Sequence, residues 1–260
     1  MPLRIDKFKM LSCAFRSAAL IGVSAMALST FATTAQAIPN YVINGGFELL
    51  SSGASGQFNN ASYTTISNWT SNGYNFLFAS GTADTTGATG QYGNLKLWGP
   101  NDGSANGLPA TSPTGGNYVA ADGNFQVAAI SQMINGLTIG NSYSVNFWWA
   151  GAQQSGYTGA TSEQWQVSLG SQTQSTVVVN NVNHGFTGWM HQTFTYTATN
   201  TSELLSFLAV GTPNGVPPFV LLDGVVVNDA TPEPGSLGLM LGGLGLIGLG
   251  VLRSKKRLKN

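Results

Sequence analysis

Charge is scarce in this chain, and cysteine and histidine are nearly absent. Only 8% of the 260 residues are charged, about a third of the share usual in soluble globular proteins. Ten Lys+Arg balance ten Asp+Glu, and that formal neutrality excludes a basic nucleic-acid binder. One cysteine, Cys13, cannot support a disulfide framework. The two histidines, His184 and His191, form no HExxH motif, and there is no phosphate loop or nucleophile elbow. Hydrophobic residues at 42% and 34 glycines do not fit a charged, disordered chain.

The neutrality is a sum of three unlike segments. Residues 1–37 carry +3, from Arg4, Lys7, Lys9 and Arg16 against Asp6. Residues 231–260 carry +4, from Arg253, Lys255, Lys256, Arg257 and Lys259 against Glu233. Between them Lys96 alone faces Glu48, Asp84, Asp102, Asp122, Glu163, Glu203, Asp223 and Asp229, a net charge of −7.

The first segment has the layout of a secretory signal peptide: a basic start, the apolar run 18–28, then Ala35-Gln36-Ala37 as a small-x-small cleavage site. Signal peptidase is expected to cut after Ala37, and that cut removes the only cysteine. A lipoprotein site at Cys13 is rejected because the apolar run follows this residue instead of preceding it. A first core helix is disfavoured by the shortness of the run and its lack of an amphipathic face.

The last segment joins Pro232-Glu233-Pro234 to an uncharged run of eighteen residues, 235–252, and a basic tail, 253–260. At ~1.5 Å per residue a helix over that run covers about 27 Å, enough for a thin hydrocarbon core, with the tail held on the cytoplasmic side. Seven glycines in the run argue against a buried water-soluble helix. The three parts in this order resemble the PEP-CTERM sorting signal. The resemblance implies recognition by an exosortase in a Gram-negative envelope, with processing near Pro232, Glu233 and Pro234. It also implies a transient inner-membrane anchor through the C-terminal helix, and delivery to the cell surface or to an extracellular matrix of exopolysaccharide. The prolines keep the preceding segment extended and accessible.

Residues 38–230 read as all-β, a two-sheet antiparallel β-sandwich. Apolar runs of strand length are separated by Gly, Asn, Ser and Pro. Expected strands include Tyr41–Ile43, Phe47–Leu49, Tyr74–Phe78, Lys96–Trp98, Ser142–Ala150, Trp165–Leu169, Met190–Thr197 and Phe219–Val227. Tyr143, Val145, Phe147 and Trp149 share one face, as do Trp165, Val167 and Leu169, the period of two that marks a half-buried sheet. Residues 99–116 read as a long Gly-rich loop, a place for function or mobility.

Near the start of the body stands Asn44-Gly45-Gly46-Phe47-Glu48, and near its end Phe219-Val220-Leu221-Leu222-Asp223-Gly224. Together these resemble the first and last strands of the galactose-binding-like jelly roll, a superfamily that includes many carbohydrate-binding modules. Residues at these positions in such modules contribute to a structural Ca²⁺ site, so the resemblance marks Glu48 and Asp223 as metal ligands; carboxylate oxygens suit such a cation. A loop cap and a turn acceptor are the alternative roles. Asp102-Gly-Ser-Ala-Asn106 is a poorer calcium loop, because it lacks a carboxylate at its end.

Trp148 points away from Phe147 and Trp149, and Gln153, Gln154, Tyr157, Gln164 and Gln166 follow it closely. Aromatic faces stack on sugar rings and amides bond hydroxyls, so these six residues form the candidate glycan-contacting set. The reading is an exported, non-catalytic binding or structural module associated with exopolysaccharide. Alternatives are a lectin-like module with a defined ligand and a glycoside hydrolase, for which a pair such as Asp122 and Glu163 supplies the two required carboxyls. The acidic body leaves no basic patch for nucleic acid.

Overall fold

The computed structural model describes residues 39–58 and 62–230. The expected signal peptide, membrane-spanning helix and Pro232-Glu233-Pro234 motif lie outside the described residues, and no helix occurs among those described. The strands are β1 (Leu50–Gly53), β2 (Gly56–Gln57), β3 (Thr64–Ile66), β4 (Asn75–Phe78), β5 (Ala88–Gly90), β6 (Gly93–Leu95) and β7 (Tyr118–Asp122). They continue as β8 (Ile130–Asn135), β9 (Ser142–Gln153), β10 (Thr161–Leu169), β11 (Gln172–Ser175), β12 (Val179–Asn181), β13 (Met190–Thr197), β14 (Ser202–Thr212) and β15 (Pro218–Asp229).

One sheet of eight strands runs β13-β9-β15-β7-β4-β2-β5-β6, and one of five runs β11-β10-β14-β8 with β12 paired to β10. A separate hairpin joins β1 to β3. Pairing between strands is antiparallel except between β2 and β5, and an isolated parallel bridge joins Phe58 to Thr64 of β3. Period-two side chains make the main core: Tyr143, Val145, Phe147 and Trp149 of β9 meet Trp165, Val167 and Leu169 of β10 and Leu205 and Phe207 of β14. Each fully buried apolar side chain of this kind contributes about 1.5–3 kcal/mol. Two polar bonds pin the sheets across that core: Trp165 Nε1 donates to Leu221 O at 3.0 Å, and Tyr196 Oη donates to Val167 O at 2.7 Å.

The larger sheet is buried on its other face as well. Phe76, Phe78, Tyr118, Ala120, Ala150, Ala152, Phe219 and Leu221 form a second apolar cluster with Leu95, Leu97 and Leu108. This is why β15 begins as an unbroken apolar run instead of an alternating one. A β-bulge between Asp223 and Val226 then flips its parity, so that Val225 and Val227 return to the main core.

The loop 99–116 is tied down as the cover of this second cluster. Asp84 accepts from Asn101 N at 2.9 Å, Asn106 Nδ2 donates to Trp98 O at 2.8 Å and to His184 O at 2.9 Å, and Leu108 is buried. Asp102 pairs with Lys96, the one ion pair among the described residues. The segment 102–106 is thus a capped turn.

Three expected strands are corrected. Tyr41–Ile43 and Phe47–Leu49 carry no strand, because Asn44 and Phe47 hold φ of 59° and 58° and turn the chain. Ile43 bonds a side chain in place of a strand: its N–H donates to Gln132 Oε1 and its carbonyl accepts from Gln132 Nε2, both at 2.8 Å. The Lys96–Trp98 run is reduced to one bridge, Leu97 to Gln154.

Candidate functional site

The two motifs singled out at the ends of the body meet. Val225 N donates to Gly45 O at 2.9 Å, and a Cβ on Gly45 would overlap the Val225 carbonyl oxygen. Glycine is therefore required where the N-terminal turn crosses the bulge. The crossing sets Gly46 against the Asp223 carboxylate: its hypothetical Cβ lies 3.8 Å from both Asp223 Oδ1 and Glu48 Cγ. Asp223 is fully buried. Its Oδ2 accepts from the hydroxyls of Ser112 and Thr114, while Oδ1 has no partner. Burial pushes its carboxyl up to about 6 against those two hydroxyls and the Gly224 N–H, with a smaller upward push from Glu48. Glu48 Oε1 accepts from Asn117 N at 2.7 Å.

A second site opens on the same sheet. A cleft of about 470 Å³ is walled by the rings of Tyr74, Tyr92, Phe125 and Tyr157. Tyr92, Phe125 and Tyr157 are 65%, 44% and 41% exposed, unusual for rings this large. Tyr74 braces the wall edge-on to Phe125, with centroids 5.2 Å apart, and Tyr92 lies 5.8 Å from Phe125. The amides of Asn94, Asn124, Gln154 and Asn214 complete the lining.

Asp122, at the end of β7, lies in the cleft wall with 1% exposure. Its Oδ1 accepts from the N–H groups of Asn124 and Phe125 at 2.8 and 2.9 Å, which shapes the turn carrying Phe125. Its Oδ2 has no partner. Burial pushes this carboxyl up to about 6, opposed by the two N–H donors. No Lys, Arg or His lines the cleft.

With this geometry in view, residues 230–257 match the PEP-CTERM protein-sorting motif. The chain carries a PEP-CTERM signal. Solved structures similar to the body include a CBM61 module in complex with β-1,4-galactotriose, at 19% identity and TM-score 0.38 over 74% of this chain and 99% of that one. The CBM22-1 xylan-binding domain of Xyn10C from Paenibacillus barcinonensis is 10% identical, TM-score 0.37, over 77% and 100%. The K1 cleaved adhesin domain of Lys-gingipain from Porphyromonas gingivalis is 10% identical, TM-score 0.38, over 63% and 92%. No curated protein matches. All three structures are under 20% identical to this chain, with TM-scores below 0.4, so the chemistry of the body is read from its own side chains.

The six residues proposed for glycan contact are scattered. Gln154 and Tyr157 line the cleft. Gln153 is withdrawn from any contact surface: it is fully buried, its Nε2 donates to Gly159 O at 2.8 Å and its Oε1 accepts from His184 N at 2.7 Å. Trp148 projects outward as expected, but it packs edge-on to His191 at 5.1 Å beside Gly224. Gln164 and Gln166 lie on the solvent side of the five-stranded sheet, whose opposite face carries Trp165 and Val167.

Glu163 is sealed between the sheets against Gly151 and Thr187 and does not line the cleft, so Asp122 and Glu163 do not share one pocket. Tyr92, Phe125, Asn94, Asn124 and Asn214 went unnoticed in the sequence. The available signal was the set of Asn-Gly and Gly-Asn turns beside isolated aromatics.

Proposed function

We propose that this chain is an exported protein, sorted by an exosortase through Pro232, Glu233 and Pro234, whose jelly-roll body is a non-catalytic module that binds polysaccharide of the cell surface or matrix. The observation that carries the reading is the cleft: three half-exposed rings and four amides around a space of about 470 Å³. Rings stack on the C–H faces of pyranoses and amides bond their hydroxyls, and burying such rings without a ligand would have been the cheaper arrangement in water. Export places the module where polysaccharide is found. Among the described residues no three His, Cys, Asp or Glu side chains gather as a metal group, and the cleft wall holds one carboxyl where glycoside hydrolysis needs two.

A bound Ca²⁺ at Glu48 and Asp223 is part of the proposal. The free, buried Oδ1 of Asp223 beside the Glu48 side chain fits a hard cation, which would supply the missing partner and hold the N-terminal turn to the last strand. Backbone carbonyls, hydroxyls and water would fill the other positions. The hydroxyls of Ser112 and Thr114 hold the Asp223 carboxylate, and the Asn117 N–H holds that of Glu48.

The test of the binding reading is affinity electrophoresis of the full chain in detergent through gels containing neutral soluble polysaccharides. Retardation of the wild type that is lost in Tyr92→Ala and in Tyr157→Ala is expected. Equal mobility of wild type and both variants in every gel would overturn it. For sorting, removal of residues 231–260 should change the processing and location of the protein in a host with an exosortase; unchanged processing and location would contradict it.

A further inference from the structure

Asp122 is the single carboxylic acid in the cleft wall, and no Lys, Arg or His lines it. Lining the cleft with Asp122 are the phenols of Tyr74, Tyr92 and Tyr157 and the amides of Asn94, Asn124, Gln154 and Asn214. Lys96, the sole Lys or Arg of the body, is engaged by Asp102, and neither it nor His184 nor His191 lines the cleft. Two backbone N–H groups satisfy Oδ1, and nothing satisfies Oδ2. A carboxylate so placed projects an uncompensated negative field into a cleft partly screened from water.

Resting on the glycan-binding reading, we propose that this cleft selects uncharged polysaccharide and rejects uronate-bearing or sulfated chains, with Asp122 as the residue that sets the choice. The selection acts through space and requires no contact between Asp122 and the sugar. In a cleft roughly 10 Å across, a like charge anywhere inside costs about tenfold in affinity or more at an effective dielectric of ~20. Neutral chains lose nothing and keep the rings and amides. The module would then discriminate between the neutral and the acidic components of a mixed matrix.

The same geometry makes the selection depend on acidity. Burial raises the Asp122 carboxyl to about 6, so the wall is charged at pH 7.5 and largely neutral at pH 5. Sulfate esters stay charged at both pH values. Rejection is therefore present above pH 6 and fades as pH falls through it.

The experiment pairs each neutral polysaccharide that retards the full chain with its own sulfated derivative, at pH 7.5 and pH 5, for wild type and Asp122→Asn. Asparagine keeps an oxygen for the N–H groups of Asn124 and Phe125 and removes the charge. Expected are a gap of about tenfold or more at pH 7.5 for the wild type, a gap several-fold smaller at pH 5, and the smaller gap at both pH values for Asp122→Asn. The wild-type pH series stands by itself if the variant fails to fold.

A gap that neither pH nor the variant changes would mean that sulfation blocks binding by bulk, and would overturn the proposal while leaving the binding reading intact. Equal binding of neutral and sulfated chains by the wild type at pH 7.5 would also overturn it alone. No retardation by any polysaccharide would bring down the binding reading and this inference with it.

Discussion

Glu163 offers a quantitative test of the packing. It sits in β10 in line with Trp165, Val167 and Leu169, so its side chain points into the space between the sheets, and it has no exposed surface. The Thr161 hydroxyl donates to Oε1, while Oε2 has no partner and faces Gly151. Burial pushes this carboxyl from 4.5 up to about 8. The folded state therefore holds a proton that the unfolded chain releases near 4.5, and stability contributed by the neutral acid falls as pH rises from about 4.5 to about 8.

Asp122 and Asp223, raised to about 6, shape the same curve only below neutrality, and the raised tyrosines titrate above the range. The interval from pH 6.5 to 9 thus belongs mainly to Glu163. At about 1.4 kcal/mol per pH unit, the loss over that interval is about 2 kcal/mol. For a domain of this size that is a fall of roughly 4–8 °C in Tm.

Glu163→Gln is neutral at every pH and nearly isosteric, so its Tm should stay level from pH 6.5 to 9 and exceed the wild type's at pH 9. Calorimetry of both proteins across that range decides the matter. Parallel curves for wild type and variant would show that Glu163 is hydrated or charged in the fold, and would refute the two-sheet packing around it.

Other outcomes follow from the same contacts. Gly45→Ala should destabilise the domain by about 3 kcal/mol or more, because the added methyl meets the Val225 carbonyl with no room to move; a chemical-denaturation midpoint equal to the wild type's would contradict the crossing of the two motifs. EDTA should lower Tm by several degrees in the wild type and by much less in Glu48→Gln, with about one calcium per chain by elemental analysis; no shift and no metal would remove the calcium site. Trp148→Ala should leave polysaccharide retardation unchanged, since its ring packs on His191 away from the cleft lining; loss of retardation without loss of fold would move the binding site to that face.

The parts of the fold legible in the sequence were those with a strong period. The expected Met190–Thr197 strand coincides with β13 because Phe194 and Tyr196 alternate with exposed threonines. The final strand announced itself by its apolar run and its Asp-Gly. The second core was hidden because its cover, residues 99–116, has no period: Leu108 is its buried apolar anchor, and the rest is held by side-chain bonds such as Asp84 to Asn101. The short strands β1, β2, β5 and β6 are built of Gly, Ser and other small or polar residues that carry little strand signal.

The site was less legible than the fold. The pairing of Glu48 with Asp223 came from motifs at the two ends of the body, and the crossing at Gly45 is what joins them. The cleft draws Tyr74, Tyr92, Phe125, Tyr157 and Asn214 from separate connections, and such convergence of loops is a tertiary fact without a local signature. Trp148 stood out because outward aromatics are visible in an alternating strand, whereas Tyr92 and Phe125 lie in turns.

The central claim is that the aromatic cleft binds polysaccharide. Its most direct measurement is the electrophoretic retardation of Tyr92→Ala in a gel of the neutral polysaccharide that most retards the wild type, with Tm measured on the same samples. Loss of most retardation with Tm within a degree or two of the wild type is the expected result. Full retardation of Tyr92→Ala, or none for the wild type in any gel, would contradict it.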